Sequence, residues 1–140
     1  MTEAIYTAEA TSTGGGRDGH VRSSDGVIDQ DVKFPKEMGG PGGATNPEQL
    51  FAAGYSACFH GALRLAGKNK GVRIPDGASV DAAVGIGRDD TSMAISVALT
   101  AHLPGLDQAT ANDLVEAAHQ LCPYSKATRG NVDVQLNATV

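Results

Sequence analysis

Two cysteines, Cys58 and Cys122, and four histidines are the residues of this 140-residue chain best suited to chemistry. Three chemistries fit those residue types. A zinc site would draw on Cys58-x-His60 and His119-x-x-Cys122, which have the spacing of zinc half-sites. Residues two apart on a helix point ~200° apart, so Cys58 and His60 cannot close on one ion. His119 and Cys122 supply only two ligands, and no metal-binding set is expected. Cys–His acyl chemistry has His20, His60, His102 and His119 to draw on. None of them lies in a protease signature. Dithiol redox chemistry needs a nucleophilic thiolate, a cation that keeps it ionised, and a second thiol whose Cα lies within ~7 Å. An apolar setting raises a thiol's pKa, so a neighbouring cation is required. Arg17, in a glycine-rich turn, is the best candidate, and Glu48 would hold its guanidinium by a bidentate contact. The bland alternative is two unrelated buried thiols, since free cysteine is among the most buried residue types.

The segment that must position Cys58 runs from Asn46 to Lys68. Asn46 suits the N-cap, Pro47 the first helical position, and Gln49 completes a capping-box spacing. Leu50, Phe51, Gly54, Ala57, Cys58, Gly61, Ala62 and Leu65 then recur at helical spacing. Gly54, Ala57 and Gly61 make that stripe thin, which predicts a second backbone packed close against it. A second helix, Asp107 to Leu121, carries Ala111, Leu114, Val115, Ala118, Leu121 and Cys122 on one face, and Pro123 stops it. Packing these two faces together would bring the thiols close.

Strands fill most of the remainder. Residues 3–13 and 20–24 read as strands around the turn Gly14–Gly19, which lacks the Lys-Ser/Thr of a phosphate loop. Asp25-Gly26 is a hairpin turn leading into a strand over 27–32. The loop Phe34–Gly43 is too rich in Gly and Pro for regular structure. Its Phe34 and Met38 either line a pocket or pin the loop down. Val80–Gly87 and Met93–Ala101 alternate as a half-buried hairpin, and Val132–Val140 is a final strand. The order β-β-β-α-β-β-α-β predicts an α+β fold. One domain is expected over 1–140, with a meander and loop at 1–45 and a helix-hairpin-helix-strand core at 46–140.

Composition narrows the function classes. The net charge of −5 argues against nucleic acid, which requires a basic stripe, and against an anionic membrane surface. No segment is long and apolar enough to span a bilayer. Met1 to Ala10 shows no basic region followed by an apolar run, so a signal peptide is not expected and the cytoplasm is the default compartment. In a reducing cytosol a disulfide between two lone cysteines would be transient and catalytic rather than structural.

The run N-P-E-Q-L-F-A-A-G-Y-S-A-C-F (46–59) resembles the active-site helix of the OsmC/Ohr family. L-C-P-Y-S-K-A-T-R-G-N-V-D-V (121–134) looks like the second-cysteine segment of its Ohr branch, the organic hydroperoxide resistance proteins. The G-G-R-D-G-H-V turn and the M-G-G-P-G-G-A-T-N loop match as well, so the resemblance covers essentially the whole chain. It implies antiparallel sheets packed around two central helices in an intertwined homodimer. It also implies a thiol peroxidase that reduces organic hydroperoxides to alcohols, with Cys58 peroxidatic, Cys122 resolving, Arg17 stabilising thiolate and peroxide, and Glu48 orienting Arg17. No bound cofactor is implied. The electron donor would be a dithiol, a lipoylated protein or dihydrolipoamide. An apolar surround of Phe34, Met38 and Phe51 would favour an alkyl or lipid peroxide. Rival readings are an OsmC-type peroxidase with another peroxide preference, a peroxide sensor or thiol-dependent binding protein, and a non-catalytic zinc protein.

One geometric consequence follows. Glu48 and Cys58 lie ten residues apart, ~15 Å along an unbroken helix. Either that helix breaks, or the Arg17–Glu48 pair serving Cys58 comes from another subunit.

Overall fold

The computed structural model describes residues 2–140; Met1, where the expected N-terminal reading begins, lies outside them. The chain forms two compact units, Met1–Leu50 and Phe51–Val140.

The N-terminal unit is an antiparallel meander of β1 (Ala10–Gly14), β2 (Gly19–Ser23) and β3 (Asp29–Val32) in the order β1-β2-β3. The β2–β3 connection is the expected Asp-Gly turn: Gly26 has φ +75°, and Asp25 Oδ1 accepts from the Val27 N–H at 3.0 Å. β1 is shorter than the strand expected over 3–13. Its ladder with β2 begins at Ala10↔Ser23, the Glu9 carbonyl still accepts from the Ser24 N–H at 2.9 Å, and among the described residues those before Glu9 belong to no strand. Ile5 and Tyr6 accordingly stand exposed. After β3 a bridge joins Val32 to Thr45, and a single 3-10 turn spans Lys36–Met38.

Helix α1 (Pro47–Lys70) starts as its sequence dictates: the Gln49 N–H donates to Asn46 Oδ1 at 2.8 Å. It ends at Gly71, whose φ of +69° suits glycine. Its buried residues are Tyr55, Phe59, Ala62, Leu63, Ala66 and Gly67. The expected stripe is therefore rotated: Ala57, Gly61 and Leu65 are exposed. Bulky side chains gain more from burial than small ones, so Tyr55, Phe59 and Leu63 at i, i+4, i+8 set the inward face. The second backbone expected over the thin stripe is not what covers Gly54 in this chain. A Cβ there would meet the Tyr124 side chain, and one at Gly61 would meet nothing within 4 Å.

The second sheet has the order β4-β5-β6, with β4 (Ser79–Arg88), β5 (Met93–His102) and β6 (Val134–Thr139). β4 and β5 form the expected hairpin, aligning Val84↔Val97 and Ala82↔Leu99. β5 and β6 run parallel, not antiparallel as expected, with Leu99↔Leu136. The cause is the connection: the chain leaves β5, passes through α2 (Gln108–Leu121) and α3 (Pro123–Thr128), and returns in a crossover. α2 is capped by Asp107, which accepts from the Thr110 N–H. Pro123 stops α2 and opens α3, a helix not foreseen from the sequence, by taking its first position. The core joins Tyr55, Phe59 and Leu63 of α1 to Val97 and Leu99 of β5 and to Leu114, Val115 and Ala118 of α2. Among the described residues no helix is long and apolar enough to cross a membrane.

Candidate active site

The structure brings the singled-out residues together as two pairs. In the N-terminal unit, Arg17 sits between β1 and β2, on a turn closed by the Gly15 N–H donating to the Asp18 carbonyl at 2.8 Å. Gly14 and Gly16 have φ of +76° and +74°, values that L side chains rarely adopt. Arg17 reaches Glu48 through two parallel bonds, Nη1–H to Oε2 at 3.0 Å and Nη2–H to Oε1 at 2.7 Å. This is the fork-to-fork contact that fixes a guanidinium in orientation as well as position. The hydrogen bond from Arg17 holds the Glu48 carboxyl below its ordinary pKa, and Glu48 raises that of Arg17. Lys33 Nζ clamps the same turn through Asp18 at 2.6 Å. His20 is held between Asp31 at 2.8 Å and Asp29 at 2.5 Å, and those two hydrogen bonds raise its pKa.

In the C-terminal unit the Cys122 Sγ–H donates to Cys58 Sγ, the two sulfurs 3.4 Å apart, and both thiols are free. A disulfide needs ~2.05 Å, so the sulfurs touch without being bonded. Cys122 is fully buried, whereas Cys58 keeps some access to solvent. Cys122 sits at the junction of α2 and α3, its N–H donating to the Ala118 carbonyl at 2.8 Å and its carbonyl accepting from the Lys126 N–H at 3.0 Å. Burial pushes the Cys58 thiol pKa up, the Tyr124 backbone N–H pulls it down, and Cys122 raises it again. Within this unit the balance favours the neutral thiol.

Phe51 packs edge-on against Tyr55, ring centres 5.9 Å apart, and lies 6.2 Å from Tyr124. Phe34 is half-buried, its carbonyl accepting from the Gly42 N–H at 3.0 Å, and Met38 is exposed. Among the described residues His60 Nε2 and His119 Nδ1 are buried without a hydrogen-bond partner, and burial lowers the His119 pKa. Among the described residues no group of three or more His, Cys, Asp or Glu is placed to hold a metal ion.

The sequence reading missed a buried hydroxyl cluster beside the thiols. Tyr55 Oη lies 2.9 Å from Ser125 Oγ and 3.0 Å from Thr128 Oγ1. The one sequence signal was a tyrosine on the apolar side of a helix, whose hydroxyl needs a partner when buried.

The family model described as OsmC-like protein matches residues 40–137. The chain belongs to the OsmC family. The organic hydroperoxide resistance protein of Xanthomonas axonopodis pv. citri is 50% identical over 135 residues, covering 96% of this chain and 94% of the relative. The organic hydroperoxide resistance protein OhrB of Bacillus subtilis is 48% identical over 137 residues, covering 95% and 97%. The crystal structure of an organic hydroperoxide resistance protein OsmC from Legionella pneumophila superposes with a TM-score of 0.91 at 47% identity, covering 99% of this chain and 100% of that one. Within the OsmC family these relatives put the chain in the Ohr branch, and its α+β fold of two three-stranded sheets and three helices is theirs. The two cysteines of this OsmC-family chain, 64 positions apart, meet because α1 and the α2–α3 junction share one core.

Proposed function

We propose that this protein is a thiol peroxidase that reduces organic hydroperoxides to alcohols. The observation that carries the reading is the 3.4 Å contact between one buried and one accessible free thiol. The Cys58 thiolate attacks the outer peroxide oxygen. The O–O bond breaks, the alkoxide leaves and takes a proton as alcohol, and Cys58 becomes a sulfenic acid. Cys122 then attacks that sulfur; the S–S bond forms and water leaves. An external dithiol, a lipoyl group by this reading, returns both thiols by two exchanges and is itself oxidised to a disulfide.

Arg17 supplies the positive charge that Cys58 lacks in its own unit, and Glu48 orients it. α1 is unbroken from Pro47 to Lys70, so Glu48 and Cys58 stand ~15 Å apart along it. We therefore assign the Arg17–Glu48 pair to the Cys58 of a second copy, in a homodimer with composite sites. The exposed small residues Ala57 and Gly61 of α1 suit close approach of that copy. The half-buried Phe34 and exposed Met38 of the N-terminal unit, and Phe51 of the C-terminal unit, each offer apolar surface suited to an alkyl or lipid peroxide. The proposed setting is the cytoplasm, whose reducing poise keeps both thiols ready.

The test is stopped-flow oxidation by cumene or fatty-acid hydroperoxide, then steady state with dihydrolipoamide. Many turnovers, a mass-mapped Cys58–Cys122 bond, and loss of more than about 10³-fold in Cys58→Ser are expected. Single-turnover consumption, or a wild-type cycle with no such bond, overturns the reading.

A further inference from the structure

The three bonds of the buried hydroxyl cluster beside the thiols can all form together in one direction only. Three hydroxyls share three protons. Thr128 Oγ1–H donates to the Ser125 carbonyl at 3.1 Å, so Thr128 Oγ1 accepts from Tyr55 Oη–H. The Tyr55 oxygen then accepts from Ser125 Oγ–H. The result is a one-way chain in which each hydroxyl donates once. Tyr55 and Ser125 are fully buried and Thr128 nearly so, and a buried hydroxyl left unpaired is costly. The chain therefore holds as a unit or fails as one.

Its location gives it a task. α3 has six residues, too short to be stable as an isolated helix, and it begins directly after Cys122. Its buried residues are Ser125 and Thr128, and Tyr55 is the side chain that ties both down. Tyr55 stands one turn before Cys58 on α1. One rigid helix thus carries the attacked sulfur and the anchor of the segment that bears the other.

We propose that Tyr55, acting through Ser125 and Thr128, is a positioning residue for Cys122. It holds the resolving thiol against Cys58 through hydroxyl bonds to Ser125 and Thr128, not to the sulfurs. This rests on the peroxidase reading above and adds a separate claim: the second step, not the first, depends on the Tyr55 hydroxyl. A phenylalanine would fill the same volume and keep the aromatic packing with Phe51. Only the tether of α3 would go. Displacements of about 1 Å between reacting groups cost up to about 10²-fold in rate.

The experiment follows both steps in wild type, Tyr55→Phe, and the double variant Tyr55→Phe/Ser125→Ala, which removes a hydroxyl the first change leaves unpaired. Single-turnover oxidation by cumene hydroperoxide gives the first rate constant, and quenched mass mapping gives the rate of the Cys58–Cys122 bond. In Tyr55→Phe the first rate is expected within about twofold of wild type and bond formation slowed about tenfold or more. Sulfinic Cys58 then accumulates at peroxide levels that wild type survives. The double variant should regain melting temperature but not the second rate, which a merely structural role would not produce. Should Tyr55→Phe fail to fold, Ser125→Ala alone breaks one link and is expected to slow the second step selectively. Bond formation at the wild-type rate in the folded variants, or equal slowing of both steps, overturns the positioning role alone. A wild type that forms no Cys58–Cys122 bond overturns the peroxidase reading and this role with it.

Discussion

Among the described residues of the N-terminal unit one hydrophobic side chain, Val32, is buried, while the C-terminal unit buries fifteen residues in one cluster that includes Cys122. The unit that carries the guanidinium is held by polar contacts at or near the surface: Arg17 with Glu48, Lys33 with Asp18, and His20 between two aspartates. The unit that carries the sulfurs is held by close packing. The two solutions suit the two reagents. A guanidinium carries its charge everywhere. It is placed at low cost only where it is solvated or paired, and partly exposed ion pairs are each worth little, so such a turn is adjustable. Two sulfurs must be set to a fraction of an ångström, and dense side-chain packing gives that precision.

The sharpest way to break this comparison is to weaken each unit in turn. Leu63→Ala removes a fully buried side chain from α1 and is expected to cost about 2–5 kcal/mol, separating the sulfurs as the core relaxes. Val32→Ala is expected to cost about 2 kcal/mol or less and to leave the rate of Cys58–Cys122 bonding as it is. Urea melts of both variants, with bonding rates measured beside them, check the pair. Equal loss of bonding rate in the two would show that sulfur placement is not a property of the core alone.

The same contrast sets what was legible in the sequence. Features governed by neighbours in the chain were readable: the Asn46–Pro47–Gln49 start of α1, the Asp25-Gly26 turn, the alternation of β4 and β5. The four residues expected to act fell into two touching pairs. Features governed by distant partners were not readable. Alternation over 3–13 could not say where β2 would stop pairing. Nothing local told β6 to run parallel to β5. A stripe of Gly and Ala looked inward by its period, yet Tyr55, Phe59 and Leu63 outweighed it. Tyr55 and its hydroxyl partners stand 70 and 73 positions apart, beyond any local pattern.

The next effect in size belongs to Arg17. Arg17→Ala is expected to slow the first oxidation step by about 10²–10³-fold, the range for losing one preorganised electrostatic partner. The Cys58 thiol should then titrate above its ordinary value of 9.0, because burial raises it with nothing to oppose it but the Tyr124 N–H. Mixing Cys58→Ser chains with Arg17→Ala chains should restore part of the activity through one intact composite site. No recovery in a verified mixed dimer would return Arg17 to the Cys58 of its own chain. An unchanged thiol pKa in Arg17→Ala would remove it from the reaction.

Glu48→Gln is smaller, because it keeps the shape and one acceptor. The first step is expected to fall about tenfold as the guanidinium loses its charged fork. The pair also has a pH signature. The folded carboxyl sits below its ordinary value of 4.5, so its contribution is present above that value and is lost as pH falls through the lowered one. Arg17 is about a third exposed, so the contribution is under about 1 kcal/mol. The stability gap between wild type and Glu48→Gln, followed by circular dichroism, should be open at neutral pH and close on acidification below 4.5. A gap that widened in acid would contradict the pairing.

The smallest effect probes the rim of the sulfur-bearing unit, where close packing meets a partly exposed side chain. A Cβ at Gly54 would stand 2.9 Å from Tyr124 Oη and 3.1 Å from its Cε2. Gly54→Ala gains up to ~1 kcal/mol of helix propensity and must push the Tyr124 ring aside. Tyr124 is 41% exposed as a residue, which leaves its side chain room to swing. It also rests 6.2 Å from Phe51 and 5.7 Å from Tyr55, contacts worth ~0.5–1.5 kcal/mol each. A small swing loses only part of each contact, which offsets the gain, and a melting temperature within about 2 °C of wild type is expected. A rise by the full propensity term would make Tyr124 a freely adjustable flap, like the turn that bears Arg17. A drop of several times that size would make it part of the rigid core, with its backbone N–H fixed on Cys58 by the same packing that fixes the sulfurs.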